Sequence, residues 1–527
     1  MLILLVGALL RFVPIWFGLP YPQTRPDEEV SLGLALNVLQ GDLNPHFFHW
    51  PSLAFYVFAG VLGAASGVRD LFDVTAPMTF ADHALVARAT VALFGTLTIL
   101  VLFRLAQRIA GDTVGGLAAA FLAGALLHVR ESHFAMTDVL MTFLLWTSLL
   151  LIVTAALAEW RATPSIGAST IAYACAGLAG GLATSTKYNA AAVAVAVVAT
   201  RLLRAWDRPS SVLRWQTWMP AVAFGTTFAA GFIVATPYAV LDYLKFTEDL
   251  RYVFTHLSGG HMNIDLGRGW IYHATYSLPY GAGFAACAAA LVGVVPFVRR
   301  HGRAAIVLGS FAVAFYVVVG SGYTVFFRYV LPLIPLICLL AAIGVTVTSA
   351  WLVRRTGLNA RLALVLVAAV SVGPGLFYSA WFDLLLARTD TRVLAGDWLT
   401  HRLQPGASLH DAGGRYTRLD LWRVKVFRSE YDPDRNAFSN GDLPAWLVLH
   451  SSDLAAYAAT LPALASLARE RYVPVYQVLG TRGEGPGVHD RQDAFFLPFS
   501  RFQDVVRPGP TITIYRRADL PPLAEPQ

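Results

Sequence analysis

The stretch TDVLMTFLLWTSLLLIVTAALA, residues 137–158, decides the fold. Its 22 residues hold one ionisable side chain, Asp138, at the second position. Roughly 20 predominantly apolar residues in a helix cross the hydrocarbon core of a bilayer, so this stretch is a membrane span. Similar runs lie on both sides of it: 1–19, 84–106, 114–129, 168–185, 188–204, 218–240, 272–297, 303–321, 329–352 and 361–381. They predict about eleven spanning helices. The composition agrees, with 56% hydrophobic residues, 14% charged residues and a mean hydropathy of +0.55, where a soluble domain carries about 25% charge. The apolar runs stop near Phe382. Beyond it the chain has mixed charge, Pro and Gly turns and short apolar stretches. The expected architecture is a mostly α, polytopic helical bundle over 1–381, followed by a small extracytoplasmic α/β domain over 382–527.

Charge sets the orientation. Of 40 Lys and Arg residues, only Lys187, Lys245 and Lys425 are lysine. The arginines collect in one set of short loops: Arg104 and Arg108, Arg161, Arg201 to Arg214, Arg299 to Arg303, and Arg354 to Arg361. By the positive-inside rule that side is the cytoplasm. Loops 20–83 and 241–271 and the C-terminal domain are then expected to lie outside. The apolar piece 52–68 follows His46, His49, Trp50 and Pro51. Were it to cross, Asp27 and Asp138 would fall on opposite faces, so it is read as an interfacial or re-entrant helix. Met1 to Pro20 lacks a basic leader and a cleavage site and is read as a retained first helix. Its lack of a cytoplasmic lead-in leaves open a start further upstream. The basic balance does not imply nucleic acid, because no basic stripe is interleaved with aromatics. Cys175, Cys287 and Cys338 sit in apolar helices and imply no disulfide framework.

The chemistry-bearing residues gather at the external ends of the spans. Arg25-Pro26-Asp27-Glu28-Glu29 follows the first helix directly, and an amphipathic stretch, Val30 to Leu39, would hold it near the membrane. A solvated acidic loop is the bland reading of this cluster. Asp138 begins a span, where an ionisable group is costly and a functional candidate by default. A first-turn acid is also favoured by the helix dipole, and both readings of Asp138 hold together.

Arg25-Pro26-Asp27-Glu28, then Asn44-Pro45 with His49, Pro51 and Leu53, then Met136-Thr137-Asp138, then Ser185-Thr186-Lys187-Tyr188-Asn189, then Arg328-Tyr329 with Pro332 and Pro335 are short motifs in a fixed order. In that order they resemble the protein O-mannosyltransferase and aminoarabinose-transferase superfamily, membrane glycosyltransferases of GT-C fold. The resemblance covers about the first 340 residues, and only loosely the rest. It implies transfer of a sugar from a polyprenyl-phosphate donor to an external acceptor, with inversion. It assigns Asp27 as general base, Glu28 to the positioning of Asp27 or of the acceptor, and Asp138 to the acceptor pocket. The lipid phosphate that leaves wants a fixed cation, for which Arg88, Lys187 and Arg328 are candidates. Tyr188, Tyr329, His49, His133 and His261 complete the expected substrate-binding set. His49-Trp50-Pro51 departs from the family's His-Pro-Pro and implies a different pocket edge.

Bland readings stand beside these. Arg88 and Arg328 also suit anchoring of helix ends at the interface, and Lys187 suits snorkelling. The external histidines His46, His49, His128, His133, His256, His261 and His273 leave a divalent metal possible, but no paired metal-ligand spacing appears. No cofactor is required. Asp432-Pro433-Asp434 reads as a turn, and Gly259 to Gly269 as a lid or a flexible loop. Strands are expected at 446–449, 472–476 and 511–515, with a short helix at 394–403. The alternative function is a transporter or flippase of a lipid-linked sugar. No repeated halves or paired broken helices support it.

Overall fold

The computed structural model describes residues 1–161, 166–262, 264–439, 441–482 and 485–521; the side chain of Arg161 and residue Asn263 of the 241–271 loop lie outside this set. The chain forms two compact units. One comprises Met1–Ile15 and Val30–Phe382, the other Trp16–Glu29 and Asp383–Gln527.

The first unit is helical. Its helices are α1 (Leu2–Phe12), α2 (Glu28–Leu39, which begins in the second unit), α3 (Leu53–Leu71), α4 (Phe80–Ala110), α5 (Asp112–Ala123), α6 (Leu126–Glu131) and α7 (Thr137–Arg161). Then come α8 (Ile166–Thr184), α9 (Ala194–Asp207), α10 (Trp215–Ala235), α11 (Tyr238–Leu241) and α12 (Tyr243–Gly259). The series ends with α13 (Gly269–Tyr272), α14 (Leu278–Ala282), α15 (Phe284–Arg300), α16 (Gly302–Gly320), α17 (Ile334–Thr356) and α18 (Ala360–Leu386). Among the described residues eight helices are long and apolar enough to cross a membrane, or nine if a pair bent by 108° counts as one span. The chain is a multi-pass membrane protein.

Several expected spans are broken, each for a local reason. The first helix covers only 11 residues, because Pro14 lacks the N–H that its next turn needs. The run 114–129 divides into α5 and α6 around Gly124. Arg11, buried in α1, answers that break: it donates to the carbonyls of Leu122 at 2.8 Å and Ala123 at 3.2 Å, and lies 3.0 Å from His128 Nδ1. Carbonyls freed inside a membrane have no water to bond, so a buried donor must reach them. The run 272–297 bends by 108° at Gly283, whose φ of +95° is open to glycine. Conversely, the segment 52–68, expected to be interfacial or re-entrant, is the 19-residue helix α3, long and apolar enough to cross.

Close helix packing rests on small residues. A Cβ on Gly293 of α15 would lie 1.9 Å from the Leu340 carbonyl oxygen of α17, and one on Gly344 would lie 1.9 Å from the Ala289 oxygen of α15. Gly177 and Gly181 of α8 meet the Phe224 and Phe228 carbonyls of α10 at 2.2 and 2.1 Å in the same way. Without a hydrophobic drive between helices in lipid, such backbone approach supplies the contact energy.

The second unit is α/β. Strands β1 (Ser408–Asp411), β2 (Phe427–Arg428), β3 (Tyr431–Asp432), β4 (Ala437–Phe438), β5 (Trp446–Ser451), β6 (Tyr472–Val478) and β7 (Thr511–Arg517) accompany helices α19 (Thr391–Thr400) and α20 (Pro462–Arg471). Five strands form one sheet in the order β2-β1-β5-β7-β6, with β2, β1 and β5 parallel and β7 antiparallel to β5 and β6. Central β5 is buried on both faces. Trp446 and Val448 join Ala395 and Leu399 of α19 in one core, while Leu447 and Leu449 join Leu464 and Ala468 of α20 in the other. The period of two along a strand divides its residues between two helices in this way. Asp432 caps its own turn, its Oδ1 accepting from the N–H groups of Asp434 and Arg435, which gives the Asp-Pro-Asp motif a structural use.

Candidate active site

The sequence candidates fall into both units. In the first, Lys187 lies between the end of α8 and a 3-10 turn at Tyr188–Val193, where the helix breaks. Its ammonium donates to Asp138 Oδ1 at 2.5 Å and stands 4.7 Å from the centre of the Tyr329 ring. Asp138, the second residue of α7, is 1% exposed, and its Oδ2 is buried with no hydrogen-bond partner among the described residues. Burying a carboxylate is costly unless it is paired, and Lys187 is the pair. Arg328 and Glu131 are within electrostatic range of the same ammonium. Both ends of this ion pair, 49 residues apart, stand out in the sequence.

From Tyr329 a run of rings extends through the unit. Phe326 lies 5.4 Å from Tyr329, His261 5.2 Å from Phe326, and His256 5.2 Å from His261. Tyr252 stacks on His256 at 5.7 Å and on His49 at 4.3 Å. Arg328 covers the Phe326 ring at 4.1 Å. Lys187, Arg328, Tyr329, His261 and His49 thus share one continuous wall. The 46–51 loop that presents His49 is fastened by Tyr188, which donates to the Phe48 carbonyl at 2.8 Å, and by Asp249, which accepts from the Phe48 N–H at 2.7 Å. Burial pushes His49 below the ordinary imidazole range against the opposing pull of Asp249, 3.7 Å away. Asp249 also pairs with Lys245 at 2.8 Å. It was not singled out in the sequence, where 241–271 reads as an external loop; Tyr243–Gly259 is instead helix α12.

Two further candidates bond to backbone carbonyls. Arg88 of α4 is fully buried and donates to the Ile15 carbonyl at 2.8 Å. His133 places its ring nitrogens 2.9 Å from the Val129 carbonyl and 3.1 Å from the Val13 carbonyl. Both tie down the chain just after α1. His128 holds Arg11, and His273 lies 2.8 Å from Ser277. Among the described residues no group of three or more His, Cys, Asp or Glu side chains is placed to hold a metal ion.

Asp27 and Glu28 belong to the second unit. Asp27 follows Pro26 and adopts φ +72°, a left-handed conformation that Asp tolerates better than most residues. Glu28, the first residue of α2, is fully buried. Around them Arg25 pairs with Asp493 at 2.7 Å and Glu29 with Arg415 at 3.2 Å. Sequence reasoning missed Asp493, although it directly precedes the apolar run Ala494-Phe495-Phe496-Leu497 in the tail. A carboxylate joined to such a run signals burial, and burial requires a partner.

Residues 48–245 match the family of dolichyl-phosphate-mannose-protein mannosyltransferases. The match includes His49, Arg88, His133, Asp138, Lys187 and Tyr188. The fold is that of ArnT from Cupriavidus metallidurans, a GT-C fold. The apo structure of ArnT superposes with TM-score 0.54 at 16% identity over 97% of each chain. ArnT bound to undecaprenyl phosphate superposes with TM-score 0.51 at 16% identity over 100% of this chain and 99% of that one. The oligosaccharyltransferase AglB from Archaeoglobus fulgidus, solved with an inhibitory peptide and a dolichol-phosphate, gives TM-score 0.48 at 12% identity over 77% of this chain. This chain spans 62% of AglB's length. No curated protein sequence matches significantly.

Proposed function

Starting from a chain whose residues 48–245 match the mannosyltransferase family and whose helices adopt the GT-C fold, we propose that it is a glycosyltransferase using a polyprenyl-phosphate-linked sugar. It hands the sugar to an acceptor on the extracytoplasmic side of a bacterial plasma membrane. The observation that carries this reading is the buried Lys187–Asp138 pair, backed by Tyr329 and Arg328 in a helix break. A cation held by a buried carboxylate, at the end of apolar helices, suits the phosphate of a lipid donor better than it suits anchoring.

The reaction is an inverting single displacement. An acceptor hydroxyl oxygen attacks the anomeric carbon and passes its proton to the Asp27 carboxylate. The bond from that carbon to the phosphate oxygen breaks, and its electron pair leaves on the lipid phosphate. Lys187 and Arg328 offset the charge that develops there. Glu28 and Asp138 orient their neighbours, and His49 and His261 extend along the ring wall as sugar contacts. No step calls for a cofactor.

The test uses the full chain in lipid nanodiscs with a panel of radiolabelled polyprenyl-phosphate sugars, comparing wild type with Asp27→Asn. Loss of a general base costs about 100- to 10,000-fold in rate, so turnover of one donor should fall by that factor while its binding persists. Unchanged turnover would remove Asp27 as base. A donor that binds and is never turned over, with any acceptor, would favour carriage of the lipid instead.

A further inference from the structure

The tail's own contacts assign it a task. Segment 16–29 is folded into the second unit although α1, which precedes it, and the body of α2, which follows it, belong to the first. Contacts of Phe17, Tyr21, Gln23, Arg25 and Glu29 fasten it there. Phe17 meets Phe495 edge to face at 6.2 Å, and the Tyr21 hydroxyl donates to the Arg418 carbonyl at 2.9 Å. Arg392 reaches the Gln23 carbonyl at 3.3 Å and the Tyr416 carbonyl at 2.6 Å while its ring neighbours Tyr21 and Phe496 lie at 4.7 and 5.1 Å. Arg25 pairs with Asp493, and Glu29 with Arg415.

The Arg25–Asp493 pair differs from a surface salt bridge. The two side chains are 0% and 3% exposed. A charge so buried depends on its partner's position, because removing one member of a buried pair leaves the other poorly compensated. Arg25 is joined to Asp27 through Pro26 alone, whose φ is fixed. A shift of the Arg25 backbone is therefore passed to Asp27, itself held at a positive φ. Arg392 is kept in place in turn by Asp390, to which its Nε and Nη2 donate at 2.8 and 2.7 Å.

We infer that Asp493 is a positioning residue for the proposed base: through its buried ion pair with Arg25, the C-terminal unit sets the conformation of the segment that carries Asp27. This rests on the reading of Asp27 as base, and it gives the tail a part in turnover without any catalytic group of its own. Arg392 supports the same segment through the Gln23 carbonyl and the Tyr21 ring.

The experiment compares wild type, Asp493→Asn and Asp493→Glu, each as the full chain in nanodiscs, with two readouts. One is the kcat and KM of donor turnover; the other is amide hydrogen exchange at residues 24–29 against that of β5 and β7. Misplacement by about 1 Å costs on the order of 100-fold. Asp493→Asn should lose about that in kcat with the donor KM unchanged, and exchange at 24–29 should quicken while β5 and β7 keep their rates. Asp493→Glu, which keeps the charge, should recover part of both. Wild-type kcat and wild-type exchange in Asp493→Asn would overturn the proposal. Should Asp493→Asn loosen β5 and β7 as well, Tyr21→Phe decides, since it removes one hydrogen bond at constant shape. Local loosening with lowered kcat upholds the proposal, and wild-type values overturn it. If the wild-type chain turns over no donor, the glycosyltransferase reading fails by itself. Exchange at 24–29 in Asp493→Asn then decides alone whether Asp493 holds the segment.

Discussion

Lys187 shows how much one residue can carry in a chain with three lysines. Its ammonium donates to Asp138 Oδ1, and removing it strands a buried carboxylate. Lys187→Met should lower the unfolding temperature in nanodiscs by an amount matching about 3–5 kcal/mol. Adding Asp138→Asn to it should restore part of that loss. A double variant as unstable as the sum of the two single ones would mean that the pair is not coupled. In the C-terminal unit, buried Asp411 faces His450 at 2.7 Å. Burial opposes its ionisation, but His450 and the N–H groups of Leu419 and Gly413 outweigh that and hold its pKa below the usual carboxylate range. A depressed folded-state pKa contributes stability at pH values above the unfolded-state value, about 3.9, and loses it as pH falls through the folded value. Asp411→Asn should therefore melt well below wild type at pH 7, and the gap should narrow below about pH 4. A gap independent of pH would contradict this. The sequence exposes Asp138 and Lys187 because ionisable residues among apolar runs stand out. It hides Asp411, Asp493 and Asp249, since an acid in polar surroundings looks the same whether the fold buries it or leaves it in water.

At the scale of elements, periodicity and punctuation do most of the specifying. Strands β5, β6 and β7 and helix α19 lie where β-branched and aromatic runs between turn residues place them. Helix breaks are less legible. Gly283 and Gly124 read as ordinary glycines of apolar spans, and only packing shows that the chain turns at them. The α15–α17 crossing is the sharpest case. Glycine to alanine inside a helix ordinarily stabilises by about 1 kcal/mol. Gly344→Ala should do the reverse, because its Cβ would sit 1.9 Å from the Ala289 carbonyl oxygen and force two helices apart. Overpacking of this kind costs about 1–3 kcal/mol, read as a lower unfolding temperature. Gly309→Ala in α16, with nothing within 4 Å of the added carbon, is the control and should be neutral or slightly stabilising. Equal effects at the two positions would remove the packing argument.

For the whole molecule, loop charge makes a prediction about sidedness. Between Asp265 and Asp383 the chain has no acidic residue, while Arg299, Arg300, Arg303, Arg354, Arg355 and Arg361 flank α15 to α18. Such loops stay in the cytoplasm. A cysteine at Glu470 in the C-terminal unit should then react with a membrane-impermeant maleimide in intact cells. One at Thr356, the last residue of α17, should react only after permeabilisation, and the opposite pattern would invert the topology. The sequence by itself determined the membrane character, the α/β tail, the Lys187–Asp138 candidates and the order of motifs. These depend on hydrophobic runs and on spacings short enough to read along the chain. Only the tertiary structure decided that Tyr329, Phe326, His261 and His49 share a wall, that Arg88 and His133 serve the end of α1, and that segment 16–29 folds with the C-terminal unit. The partners of Arg25 and Tyr21 lie 468 and 397 residues away. Local pattern carries no record of contacts at that separation, because they arise only when burial makes each charge find whatever partner the fold brings near.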